Sequence, residues 1–197
     1  VTSISEEGTE TTHFSIIDEY GNRVAATLSI NTTFGSGFVA GNTGVLLNNH
    51  MNDFALTPNS PNIYGLVGNT KNSIEPGKRP LSSMSPTFVE DDRGILVIGT
   101  PGGSRIISMV ILGILEYLIE SKPNLLDIVS KARLHHQYLP DQIFVETGGF
   151  SEKWIQAMEV KGHKVVMVKK KWGNMQAVLY NKLTKNKEVA NDPRGLQ

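Results

Sequence analysis

The 197-residue sequence contains no cysteine, which excludes disulfides, a thiol nucleophile and any cysteine-ligated metal site. That absence leaves the compartment open, because a cysteine-free chain suits either redox environment. An excess of one charge is also missing. Nineteen Lys and Arg balance nineteen Asp and Glu, so no overall attraction to nucleic acid is expected. The run Lys169-Lys170-Lys171 is local and reads as a solvated strand end. Long apolar runs are lacking too. The longest, over residues 106–119, is interrupted by Glu116 and too short for a bilayer. It reads as a buried core helix, and no membrane segment is expected. Residues 1–10 are polar and acidic, unlike a signal peptide. The first residue is Val rather than Met, so any targeting segment is expected upstream.

What remains is an ordinary globular composition in a chain long enough for one domain with a well-buried core. Strand patterns cover 12–17 and 23–30, joined by Asp18-Glu19-Tyr20-Gly21-Asn22, whose Gly-Asn pair signals a hairpin. If Ile17 and Arg23 flank the turn, opposed residues have numbers summing to about 40, which places Thr11 opposite Ser29. A Gly-rich loop at 34–37 and a short strand at 44–47 follow. Residues 56–77 are rich in Pro, Asn and Gly, and so long a loop in a compact domain is usually functional. Strands are expected at 86–89 and 95–99, a helix at 106–120 and another at 124–132. The last third reads as strand 142–146, helix 151–161, strand 163–169 and strand 175–180. Trp154 and Met158, at helical spacing, read as core. No repeat or linker interrupts the chain. The fold class is α+β, with helices covering a largely antiparallel sheet.

Several segments bear chemistry. Thr11-Thr12-His13 simply begins a strand unless the chain is cut before Thr11. In that case the freed α-amine, with an ordinary pKa near 8, can act as base for the Thr11 hydroxyl. Gly102 and Gly103 stand between a strand and a helix, where bare backbone N–H groups suit an oxyanion hole, an anion site or a plain tight turn. No Gly-Lys-Ser/Thr follows, so this is not a Walker loop. Ser82, Ser83 and Ser85, with Arg79, lie between prolines in a segment that is either an ordinary loop or a carboxylate site. Asn31, Asn49, Asn52 and Asp53 suit an amino group. The histidines lack the spacing of a helical zinc site, so His50, His135 and His136 are expected to be structural, with no metal or cofactor.

The order of these segments is more specific than any one of them. Thr-Thr-His-Phe-Ser-Ile-Ile-Asp, then Gly-Asn, then Ser-Ile-Asn-Thr-Thr-Phe-Gly-Ser-Gly strongly resembles the start of the γ-glutamyltranspeptidase small subunit. The strings at 46–54, 62–68, 78–87, 100–105, 133–141 and 191–194 continue the likeness, which covers residues 11–197. The resemblance implies an N-terminal-nucleophile (Ntn) hydrolase, a four-layer αββα sandwich completed by a large subunit from the same precursor. Residues 1–10 would then be a residual pro-segment or the large subunit's C-terminal end, and 11–197 the catalytic small-subunit domain.

It also implies γ-glutamyl transfer and hydrolysis, from glutathione and similar amides, through a threonine ester formed after autoproteolysis before Thr11. Acceptors would be amino acids, peptides or water, with no nucleic acid and no cofactor. The location would be periplasmic or secreted. By the same resemblance, Ser29 supports the nucleophile, where relatives usually carry Thr. Gly102 and Gly103 supply the oxyanion amides, and Asn31, His50 and Asp53 bind the substrate α-amino group. Ser82 and Ser83 bind its carboxylate, and Tyr64 is the tyrosine of a lid. His50 stands where relatives carry Gln or Glu, and Asn52 where Asp is common. A neutral His accepts an N–H, whereas a protonated one repels an ammonium. A glutaryl- or cephalosporin-type acylase, a poly-γ-glutamate depolymerase and an unprocessed non-catalytic scaffold are the competing expectations.

Overall fold

The computed structural model describes residues 11–196; the expectation for residues 1–10 lies outside the described residues. β1 (Thr12–Ile17) and β2 (Arg23–Leu28) form an antiparallel hairpin running in register from Thr12↔Leu28 to Ile17↔Arg23. Its turn is shaped by Asp18, whose carboxylate accepts from the backbone N–H groups of Tyr20 and Asn22 and from the Asn22 side chain. β2 stops at Leu28 rather than at residue 30. The chain turns off the strand at Asn31, whose φ of 80° is left-handed.

The chain then forms β3 (Thr87–Glu90), β4 (Gly94–Gly99), α1 (Ile106–Ile119), α2 (Leu125–Ser130), β5 (Leu134–Gln137), β6 (Gln142–Glu146), α3 (Glu152–Val160), β7 (Val165–Val168), β8 (Gln176–Asn181) and β9 (Lys187–Asn191). Strands β3-β4-β8-β9 make an antiparallel sheet, and β5-β6-β7 a second sheet in which β6 and β7 run parallel. Strands β5 and β9 are absent from the periodicity reading. Leu-His-His-Gln and Lys-Glu-Val-Ala-Asn lack apolar alternation, and both lie at sheet edges. The expected strand at 44–47 is reduced to a bridge between Val39 and Leu46.

Alternation along β4 sets the layering. Leu96 and Ile98 join Ala177 and Leu179 of β8 in the main core with Met109, Val110 and Tyr117 of α1 and Leu125 and Ile128 of α2. The opposite face of β4 meets the hairpin, because a Cβ built on Gly99 would lie 2.2 Å from the His13 ring. The order is therefore helices, sheet, hairpin.

Residues 106–119 do form a helix, but it is buried along one side only. Ile106, Met109, Val110, Gly113 and Tyr117 are inside, while Ile107, Ile111, Leu115 and Leu118 are exposed. Helix α3 has no fully buried residue, so Trp154 and Met158 are partly covered surface residues rather than core. The Trp154 ring rests on Phe150, with centroids 4.8 Å apart. Lys169, Lys170 and Lys171 follow β7 and are exposed.

Four charges are buried where the two sheets meet. Arg133 pairs with Asp192, and Arg194 with both Asp192 and Glu146. The Glu146 carboxylate also accepts from the backbone N–H groups of Arg133 and Trp172, at 3.1 and 3.0 Å. Burial lowers the Arg133 guanidinium to about 10, which leaves it charged at neutral pH. The cluster is neutral in sum and well bonded, so removing one member strands the others without solvent. Asp192→Ala is expected to cost about 3–5 kcal/mol, the range for breaking a buried pair, read as a lowered midpoint of urea denaturation. A shift below 1 kcal/mol, on the order of a surface pair, would contradict the role assigned to the cluster.

Candidate functional site

The hairpin's inner face is a ladder of polar pairs. The Thr11 and Ser29 hydroxyl oxygens lie 2.8 Å apart, at the position that extends the Thr12↔Leu28 register by one step. Next along that face, His13 Nδ1 lies 2.8 Å from the Thr27 hydroxyl and Nε2 3.0 Å from the Ser15 hydroxyl. Ser15 spends its one proton on the Gln176 carbonyl at 3.3 Å. It must therefore accept from Nε2–H, leaving Nδ1 to accept from Thr27. Burial holds the His13 pKa down at about 4, which agrees with a neutral ring. Glycine at 99 is what lets that ring lie against β4.

Beyond the hairpin, the left-handed Asn31 donates its backbone N–H to Ser29 Oγ at 2.8 Å. Its side-chain NH₂ donates to the Asn49 carbonyl at 3.3 Å. Asn49 in turn clamps Thr32 through its backbone N–H and its hydroxyl. His50 and Asp53 sit on a short 3-10 turn, His50–Asp53. His50 Nδ1 is 2.7 Å from Asp53 Oδ2, and Nε2 is 3.2 Å from the Ser29 carbonyl oxygen. Placed this way, His50 lies between Asp53 and the backbone of Ser29, with both ring nitrogens occupied.

The 56–77 loop crosses the site. Its tip is a small hairpin bridged at Pro61 and Val67, shaped by the Asn62 side chain, which accepts from the N–H groups of Tyr64 and Leu66. Asn52 accepts from the Ile63 N–H at 3.3 Å and so braces this tip. The Tyr64 hydroxyl donates to Asn31 Oδ1 at 2.7 Å, and its ring lies against Gly103, where a Cβ would stand 3.1 Å away. Gly102 and Gly103 have φ of 142° and 56° and open the turn into α1. That left-handed geometry, with Met109 packed on Gly102 and Tyr64 on Gly103, explains the paired glycines.

Thr11, Ser29, Asn31, His50, Asp53, Tyr64, Ser82, Ser83 and Gly103 line one cavity of about 40 Å³. Small-molecule pockets are commonly on the order of 300–1,000 Å³, so with Tyr64 in place this is a narrow, half-open cleft. Gly102 lies just behind its wall, buried against Met109. The long hydrogen-bonded reach of Gln137 to this loop, described below, was not legible in the sequence. Its strand is too polar to read as one. No group of His, Asp and Glu among the described residues is arranged to hold a metal ion, and none of their helices is long and apolar enough to cross a membrane.

A hydroxyl at the head of a strand, a second hydroxyl across a hairpin, and a Gly-Gly helix start, on a sheet with helices on one side and the hairpin on the other, fit an Ntn-hydrolase fold. The gamma-glutamyltranspeptidase family model matches residues 3–197, and the chain belongs to that family. It is 48% identical over 174 residues, 88% of this chain, to the glutathione hydrolase proenzyme of Escherichia coli. It is 41% identical over 94% of its length to that of Pseudomonas aeruginosa. The chain spans only about a third of those relatives, 30% and 33% of their lengths. Among solved structures, a γ-glutamyltranspeptidase of Helicobacter pylori superposes with a TM-score of 0.85 at 40% identity, covering 93% of this chain and 99% of that one. The Bacillus anthracis transpeptidase CapD superposes at 0.71 and 25%, covering 93% and 95%.

The buried, neutral His13 has a measurable consequence. Its pKa is lower folded, about 4, than the ordinary histidine value of 6.5, so between these values the unfolded chain binds more protons. Stability is full above the unfolded value and falls as pH drops toward the folded one, by on the order of 3 kcal/mol in all. Urea midpoints measured from pH 7 to 4 should show this slope, and His13→Gln should remove that part of it. An unchanged slope in the variant would mean His13 is not buried neutral.

Proposed function

We propose that the processed protein transfers γ-glutamyl groups from glutathione and other γ-glutamyl amides to water or to amino-acid and peptide amines, with Thr11 as nucleophile. The observation that carries this reading is the convergence of the Thr11–Ser29 hydroxyl pair, the Gly102–Gly103 turn and the Asn31–Asp53 wall on one cleft. Cleavage of the Glu10–Thr11 bond frees the Thr11 α-amine. That amine takes the hydroxyl proton as Oγ1 attacks the γ-carbonyl carbon. Ser29 shares a proton with Oγ1 and keeps it aimed. The N–H groups of Gly102 and Gly103, at the start of a helix, receive the negative oxygen of the tetrahedral intermediate. The α-ammonium then protonates the departing amine, leaving a γ-glutamyl ester on Thr11. Water or an acceptor amine, deprotonated by the same base, attacks that ester and releases the product.

The donor's α-ammonium is read as meeting Asn31 and Asp53, with His50 holding Asp53 in place, and its carboxylate as meeting Ser82 and Ser83. Residues 11–197 would form the catalytic small-subunit domain and residues 1–10 the segment cut away from it. Two apolar faces support a large-subunit partner. Phe14, Ile16, Val24 and Leu28 project from the outer side of the hairpin, and Ile107, Ile111, Leu115 and Leu118 from α1, all exposed among the described residues. A partner over the hairpin would extend β1-β2 into a full sheet and supply the fourth layer of an αββα sandwich. By its family, the mature protein is read as periplasmic or secreted.

The test compares γ-glutamyl-p-nitroanilide with glutaryl-p-nitroanilide, which lacks the α-amino group, on the processed protein. Hydrogen bonds to a charged group are worth about 1.5–3 kcal/mol, so the γ-glutamyl compound should be preferred by at least about tenfold in kcat/KM. Preference for the glutaryl compound would favour an acylase instead. In parallel, intact mass should show cleavage before Thr11 in the full-length precursor and none in Thr11→Ala, which should also be inactive. Activity surviving in Thr11→Ala would refute the nucleophile.

A further inference from the structure

Gln137 ends strand β5, outside the cavity that holds Thr11, yet its side-chain amide makes four hydrogen bonds, two of them to the segments that frame the site. Its amide oxygen lies 2.9 Å from the Ser104 hydroxyl and 2.9 Å from His135 Nε2. Its amide nitrogen donates to the backbone carbonyls of Tyr64, at 2.8 Å, and Leu139, at 2.7 Å. Two carbonyl acceptors on one side require the NH₂ there. Two donors on the other side require the oxygen there. The amide therefore has one orientation only.

His135 enforces that orientation. It is buried, and burial pushes its imidazole below the ordinary histidine range, so a neutral ring is favoured. The Ser108 hydroxyl lies 2.8 Å from Nδ1 and donates to it when Nε2 carries the proton. The chain of bonds then runs Ser108 to His135 to Gln137 to the Tyr64 carbonyl. Ser104, which joins at the amide oxygen, directly follows the Gly102–Gly103 turn. The backbone fits this contact closely. Gly65 has a φ of 73°, and a Cβ there would lie 2.8 Å from the Leu139 carbonyl oxygen and 3.0 Å from Gln137 Nε2.

We infer that Gln137 is a positioning residue that latches the Tyr64 loop over the nucleophile and ties it to the helix start carrying Gly102 and Gly103. The loop tip is thus held at two points. The Tyr64 hydroxyl grips Asn31 inside the site, and the Tyr64 carbonyl is gripped by Gln137 outside it. With both made, the cleft beneath is only about 40 Å³, so a donor that seats under the Tyr64 ring displaces the loop and is held when these contacts re-form. Every lid opening must break the Gln137 bond to the Tyr64 carbonyl, which makes Gln137 a determinant of donor affinity and residence rather than of the chemical step. This extends the reading of Thr11 as nucleophile, but the latch itself is read from the loop alone.

The test uses the full-length processed protein and Gln137→Met, which keeps the length of the side chain and removes all four hydrogen bonds. Hydrogen exchange is followed at the amides of Gly65 and Leu66, which donate to the Asn62 carbonyl and side-chain oxygen in the closed tip. Loss of the two lid-side bonds should speed their exchange by about tenfold, the equivalent of about 1.4 kcal/mol, while α1 and β4 exchange as before. KM for γ-glutamyl-p-nitroanilide should rise severalfold with kcat changed by less than about twofold, the pattern of lost ground-state binding. Unchanged exchange at the tip overturns the latch. Equal acceleration in α1 and the tip also overturns it, because the residue would then be serving the fold as a whole. Should Gln137→Met fail to fold, Ser104→Ala removes one of the donors that orient the amide. It should loosen the same amides less strongly, and no change there overturns the proposal. Faster tip exchange in a protein that never turns over a γ-glutamyl donor would support the latch while sinking the proposed function.

Discussion

The packing of the His13 ring against Gly99 is the contact on which the rest of the site depends. It brings the hairpin onto the β4–β8 sheet with its polar face inward, an arrangement that would be costly for unpaired hydroxyls. Here each is answered: Thr11 by Ser29, Thr27 and Ser15 by the two nitrogens of one neutral imidazole, and Ser15 again by the Gln176 carbonyl. Because strand side chains alternate with period two, this also fixes which hydroxyls face the sheet and which residues face away. Thr11 arrives beside the Gly102–Gly103 turn because β4 ends there, with Gly99, Thr100 and Pro101 carrying the chain from the His13 contact into that turn.

Four residues of left-handed backbone lie around this same point. Asn31, Gly65, Gly102 and Gly103 all have positive φ, and at the three glycines the missing Cβ lets backbone or ring approach. Asn31 turns the chain off β2 so that its N–H meets Ser29 and its side chain meets Tyr64. Gly65 admits the Leu139 carbonyl and the Gln137 amide. Such departures persist only where surrounding contacts over-determine them, and here the Asn62 turn, the Asn49–Thr32 clamp and the neighbouring β5 strand do so. Away from the site, the buried Arg133–Asp192–Arg194–Glu146 cluster holds the β5–β6 sheet and the C-terminal strand to the core. Its neutral sum and complete bonding make it tolerable in an interior where a lone charge would not be.

The hairpin was readable because its rule is short-ranged. A five-residue turn and a period of two leave one register that buries a consistent face, and Thr11 falls opposite Ser29 in it. The helix at 106–119 was readable from apolar content, but not its half-exposed state, since nothing local distinguishes a face packed on β4 from one left uncovered. Strands β5 and β9 escaped notice for a related reason. They are held by pairing with partners distant in sequence, not by their own hydrophobicity, so Gln137 carried no local signal. The role of His50 was likewise hidden. Only the positions of Asp53 and the Ser29 carbonyl show that both of its nitrogens are occupied.

By itself, then, the sequence determined the elements whose physics is local: the hairpin and its register, the strand-to-helix turn at Gly102–Gly103, and the long loop carrying Tyr64. The order of its motifs was enough to indicate the family. Tertiary structure alone decided how these pieces meet. It laid the hairpin against Gly99, folded the Tyr64 loop down onto Asn31 and Gly103, and brought Gln137 from a distant edge strand to hold it there. The division follows from range. Backbone propensity and side-chain alternation act over a few residues, whereas the cleft is made of contacts between segments tens of residues apart, and these exist only once the core has placed them.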